Sequence, residues 1–129
     1  MLRDRLDAAG GRVSIVGVSI DEWDGHRRRD GDERLAFLEP QLRTSAALGA
    51  HGVRLPIGQA GALLERALPL LEELDLVLLE EAQGHQTPAA APEAYARIAE
   101  IDSPHVRLLL DISMLMPALP VTYLEELSR

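Results

Sequence analysis

The chain has 129 residues, of which 47% are hydrophobic and 26% charged. That is the profile of one globular domain over residues 1–129 rather than of a fibrous or disordered segment. Thirteen Lys and Arg against twenty-one Asp and Glu leave a net charge of −8, a field that repels phosphate backbones and anionic membranes. Nucleic acid and membrane are therefore not expected partners. The absence of cysteine excludes disulfides, thiolate nucleophiles and thiolate metal sites, so any metal must be held by carboxylate, imidazole, amide or water. No apolar run approaches the ~20 residues needed to cross a bilayer. The first residues lack a signal peptide's apolar stretch, and the chain reads as cytoplasmic.

In chain order, Met1–Ala9 reads as the last turns of a helix closed by Gly10-Gly11. Arg12–Ile20 follows as a buried strand. A helix is expected from about Glu33 to Leu48, with Leu35, Leu38, Leu42 and Ala46 on one side, Pro40 kinking it or marking a second start, and Gly49 closing it. A second strand, Gly52–Ile57, precedes a helix from about Ala62 to Leu74, in which Leu64, Leu68 and Leu71 keep the period. A third strand covers Leu76–Glu81. The next helix opens at Pro92, a residue suited to the first helical position, and turns Ala94, Ile98 and Ile101 inward. The fourth strand is Val106–Asp111, and Thr122 with Glu125 forms a capping box for a further helix.

Strands apolar on both faces belong in parallel sheets covered by helices. The spacing of these strands matches βα units of a (β/α)₈ barrel, which has roughly 250 residues in all. The fold class expected is therefore α/β: about half of a TIM barrel, four parallel strands in sequence order with intervening helices.

Barrels build their sites at the C-terminal ends of the strands. Three strands run into a carboxylate there: Asp21, Glu81 and Asp111. Glu81 and Asp111 end adjacent strands, whose spacing of ~4.8 Å lets two carboxylates reach one ion. Hard oxygen ligands suit Mn²⁺ or Mg²⁺. Solvent-facing acids at strand ends are the plainer alternative. Glu80 competes with Glu81 for the inward position, because neighbours on a strand face opposite ways, and periodicity does not choose between them.

The stretch Glu81-Ala82-Gln83-Gly84-His85-Gln86-Thr87-Pro88, with Ile101-Asp102-Ser103-Pro104 and Leu110-Asp111-Ile112-Ser113, resembles the sugar phosphate isomerase/epimerase family with the xylose isomerase-like barrel. The resemblance extends to Val18–Gly25 and Leu48–Arg54. It implies that Glu81, rather than Glu80, and Asp111 are metal ligands and catalytic residues. It also implies isomerase or epimerase chemistry on a sugar or related polyhydroxy carbonyl compound, although some proteins of this fold cleave C-glycosides. Where many relatives carry His, this chain has Gln83, which can hydrogen-bond a sugar hydroxyl but cannot shuttle a proton. The later His and Glu that complete the family's ligand set have no counterpart within these 129 residues.

Further substrate contacts are assigned to His85, Arg54 and Trp23, each with a plainer alternative. His85 either touches substrate as an acid/base group or is a solvated loop histidine. Arg54 either meets a substrate oxygen or forms an internal ion pair. Trp23 either stacks on a sugar ring or packs in the ordinary way. The His26-Arg27-Arg28-Arg29 cluster, surrounded by acids, reads as a solvated loop. Two rival readings stand beside the enzyme: a non-catalytic half-barrel that binds or assembles, and a small doubly wound module, the latter disfavoured because no G-x-G-x-x-G loop is present.

Half a barrel leaves two sheet edges open. The chain measured alone is expected to be inactive as a sugar isomerase and to self-associate. Robust isomerisation by a species that light scattering shows to be a monomer would refute this.

Overall fold

The computed structural model describes residues 1–20, 25–27, 29–56, 61–82 and 90–111. The elements alternate: α1 (Leu2–Ala8), β1 (Ile15–Gly17), α2 (Gly31–Ala47), β2 (Gly52–Pro56), α3 (Leu63–Leu74), β3 (Val77–Ala82), α4 (Ala90–Ile101) and β4 (Val106–Leu110). The four strands form one parallel sheet in the order β1-β2-β3-β4. This is the partial-barrel arrangement expected from the strand rhythm. No helix among the described residues is long and apolar enough to cross a membrane.

The register explains the core. Val16 pairs with Val53, Val53 with Leu78, and Leu78 with Val106, so these residues share one face of the sheet. Leu55, Glu80 and Leu108 continue that face by the same pairing. Leu38 and Leu42 of α2, Leu64, Ala67 and Leu71 of α3 and Ile98 of α4 pack against it in one buried cluster. The opposite, inner face carries Ile15, Gly17, Arg54, Leu79, Glu81, Arg107 and Leu109. Ile15 and Arg107 on it are exposed and Leu79 is half-buried.

The structure corrects the sequence reading at β1, at the start of α4 and at the helix-interior prolines. β1 holds only three residues instead of spanning Arg12–Ile20. It has a single neighbour among the described strands, and the chain on either side is tied by individual bonds: Ser14 accepts from His51 N–H at 3.0 Å and Val18 N–H donates to Arg54 at 3.0 Å. Gln41 takes over at Ser19, accepting from its N–H at 3.1 Å and donating to its carbonyl at 2.9 Å. In α4, Pro92 is the third helical residue rather than the first, still inside the turn whose N–H groups lack intrahelical acceptors. Pro40 and Pro69 lie within α2 and α3, each of which remains one helix. The helix foreseen around Thr122 lies outside the described residues.

Each helix is followed by a backbone position of positive φ that turns the chain back toward the sheet: Gly10 (70°), Gly49 (79°), Asp75 (51°) and Asp102 (47°). Glycine adopts this conformation without a Cβ clash, and Asp is among the residues that tolerate it best.

α2 opens with a capping box. Asp30 Oδ1 accepts from Glu33 N–H at 2.9 Å, and Glu33 Oε2 accepts from Asp30 N–H at 3.0 Å. Arg27 also donates to Glu33 Oε2 at 2.7 Å. These bonds, with Arg27 the largest influence, lower the Glu33 pKa from 4.5 to about 2. A depressed carboxylate pKa stabilises the fold above 4.5, and the contribution is lost as the pH falls toward 2. Thermal midpoints should therefore show an acid-dependent loss across that window that Glu33→Gln lacks. The difference should be small and shrink with added salt, because the group is solvent-exposed. Identical acid profiles for the two proteins would contradict it.

Candidate functional site

β3 ends in two consecutive acids, and its alternation separates them. Glu80, paired with Leu55 and Leu108, is fully buried on the helix-facing side. Glu81, paired with Pro56 and Leu109, belongs to the inner face and is 4% exposed. Asp111 directly follows β4 and is half-buried. Continuing the alternation from Leu109 puts Asp111 on the same side as Glu81, two residues further along the next strand. Strand spacing and rise then separate the two Cα atoms by roughly 8 Å. A carboxylate from each side chain can converge on a point between them after rotamer adjustment.

Glu81 has a cationic neighbour. Arg54, two residues back along β2 on the same face, donates from Nη1 to Glu81 Oε1 at 2.7 Å. The side chains are unequal: that of Arg54 is 46% exposed and that of Glu81 only 5%. A carboxylate withdrawn from water to this degree requires compensation, and a guanidinium at hydrogen-bond distance supplies charge and donor together. Gly17 flanks the guanidinium on the other side. Arg54 and Gly17 are in register, and a Cβ built on Gly17 would lie 3.7 Å from an Arg54 terminal nitrogen. The guanidinium thus lies across a glycine of β1 while bonding to a carboxylate of β3.

For Arg54, then, the internal ion pair is the arrangement present. The neighbourhood of Gly17 and the guanidinium was not legible in the sequence. Asp21, Trp23, Gln83 and His85 lie outside the described residues, as does Met114-Leu115-Met116. The basic loop is engaged locally: besides the Arg27–Glu33 pair, Arg29 sits 4.8 Å from the Phe37 ring centroid.

Glu81 and Asp111 together offer hard oxygen donors at the sheet edge where barrels place their sites. Glu81 is buried with its charge matched by Arg54. A divalent metal fits this chemistry, although among the described residues no three His, Cys, Asp or Glu side chains cluster to hold one.

The comparisons with known proteins bear on this geometry. The fold superposes on the xylose isomerase domain protein from Planctomyces limnophilus with a TM-score of 0.66, over 98% of this chain and 54% of that one, at 16% sequence identity. The fold is xylose isomerase-like. In sequence, the chain is 32% identical over 129 residues to the 3′-dehydrocarminate deglycosidase alpha subunit of a Microbacterium species. That alignment takes in 95% of this chain and 36% of the relative, so the chain spans about a third of its length. No family model matches the chain.

The Arg54–Glu81 pair predicts a measurable coupling. Arg54→Met should lower stability by roughly 1–3 kcal/mol, a range between exposed and buried pairs because one partner is half in water. Glu81→Gln in the Arg54→Met background should recover part of that loss. A double-mutant cycle from denaturant unfolding measures it, and a coupling near zero would show that the contact contributes nothing.

Proposed function

We propose that this chain supplies part of a divalent-metal site at which a proton is moved on a sugar or related polyhydroxy carbonyl compound. The observation that supports the proposal is Glu81 near the C-terminal end of β3 on the inner face, with Asp111 directly after the adjacent parallel strand β4, in a xylose isomerase-like fold. Glu81 and Asp111 would hold Mn²⁺ or Mg²⁺, which when bound polarises the substrate's carbonyl and hydroxyl oxygens. A carboxylate oxygen at this edge accepts the proton from the carbon beside the carbonyl, and the C–H electron pair passes into the resulting enediolate. Return of the proton to the neighbouring carbon gives an isomer; return to the opposite face of the same carbon gives an epimer. The inner face supplies Leu79 and Leu109 as apolar wall beneath the edge.

A second reading draws on the deglycosidase relative. A 3′-dehydro sugar carries a ketone, and the same proton removal at the adjacent C2 would form a C1–C2 double bond as the bond from C1 to the aglycone breaks with its electrons. Both reactions ask the same first step of this edge, and they differ in whether a leaving group sits next to the carbanion. Product analysis with a ketose and a 3′-dehydroglycoside separates them.

The metal assignment is tested by calorimetric titration with Mn²⁺. Glu81→Gln and Asp111→Asn should each weaken binding by at least the roughly tenfold that loss of a ligand's supporting partner costs elsewhere. Glu80→Gln should leave it unchanged. The reverse pattern, with Glu80→Gln losing metal and Glu81→Gln retaining it, would overturn the site.

A further inference from the structure

We infer that Arg54 is a built-in competitor for the metal position: it neutralises Glu81 in the metal-free chain and must swing off that carboxylate for a divalent cation to bind there. The inference rests on the metal reading just proposed and adds the group that opposes it.

The geometry limits the alternatives. Arg54 Nη1 holds Glu81 Oε1 at 2.7 Å, a position from which a metal ion on the same oxygen would be repelled by the guanidinium charge. Glu81 is confined to rotamer changes within the edge, because its side chain is 5% exposed on a strand hydrogen-bonded on both sides. Arg54 can move. Nearly half of its side chain is in solvent, its stem is flexible, and Gly17 beside it presents no side chain to hold the guanidinium. Two cations on one buried carboxylate repel each other, so closure of the Arg54 pair opposes metal on Glu81. Released from Glu81, Arg54 remains on the inner face beside the site, where a guanidinium can donate to an oxygen of a bound substrate.

Opposed states carry a definite thermodynamic signature. If the pair is closed about nine-tenths of the time, the apparent metal affinity falls about tenfold. Arg54→Met, which keeps an apolar stem and removes the charge, should therefore tighten Mn²⁺ binding by on the order of tenfold while lowering metal-free stability. Arg54→Lys retains a cation without the planar fork and should fall between the two. In the unaltered chain, titration with diamagnetic Mg²⁺ should move the Arg54 Nε–Hε resonance from an ion-paired to a solvent-exchanging signature, a readout that requires no variant. Tightened binding in Arg54→Met, together with that resonance change, supports the inference. Metal binding that needs Glu81 but is equal or weaker in Arg54→Met, or an Arg54 resonance unmoved at saturating Mg²⁺, overturns it and leaves the metal site standing. Absence of binding in both the unaltered chain and Arg54→Met overturns the metal site and the inference together.

Discussion

Neighbouring residues on a strand face opposite ways, and on β3 that rule decides the chemistry. Glu80 and Glu81 are the same residue type one position apart, yet one is enclosed among the leucines under the helices and the other lies on the barrel side against a guanidinium. A shift of one residue in the pairing of β3 would exchange them. It would also expose Leu78 and bury Val77 and Leu79 in its place. The packing of Leu38, Leu42, Leu64 and Leu71 against Val53, Leu55 and Leu78 thus holds the candidate site in register, though none of these residues takes part in its chemistry.

Charge on the inner face is more balanced than on the whole. The chain carries −8, yet the inner face holds two arginines, Arg54 and Arg107, level with each other on either side of Leu79. Arg107 is bonded to the carbonyls of Ser103 and Val106, at the N-terminal end of its strand. Arg54 points instead toward the C-terminal edge, where Glu81 is. A strand of the same composition with arginine two positions earlier could not reach that carboxylate.

Much of the architecture was legible because it rests on local periodicity. The leucine spacing of α2 and α3, the short apolar strands and the turn residues between them each specify an element without help from the rest of the chain, and the four strands fall within a few residues of the expected positions. The site was legible to a lesser degree. Two carboxylates at strand ends are visible in a linear sequence, but the contact between Arg54 and Glu81 depends on the stagger of two strands, and the space over Gly17 depends on a third. β1 was read too long because Val13, Val18 and Ile20 beside it are as apolar as a strand should be, while the number of ladder partners that limits a strand is not written in its own residues. The function of Gln41, which bonds both backbone groups of Ser19 from a helix, was hidden for the same reason: a polar residue on a helix has no periodic mark to distinguish a clamp from a solvated side chain.

The left-handed exits at Gly10, Gly49, Asp75 and Asp102 bear on how the chain acquires its shape. Each turns a finished helix back at once, so that every strand beyond the first pairs with the strand one helix earlier and never waits for a distant part of the sequence. Contacts of this reach close small loops, and small loops carry a lower entropic barrier than the long-range pairings of most all-β proteins. The sheet can therefore grow from one side, each βα unit finding its template already formed. The edge left by the latest strand is the surface on which the following unit would be laid down.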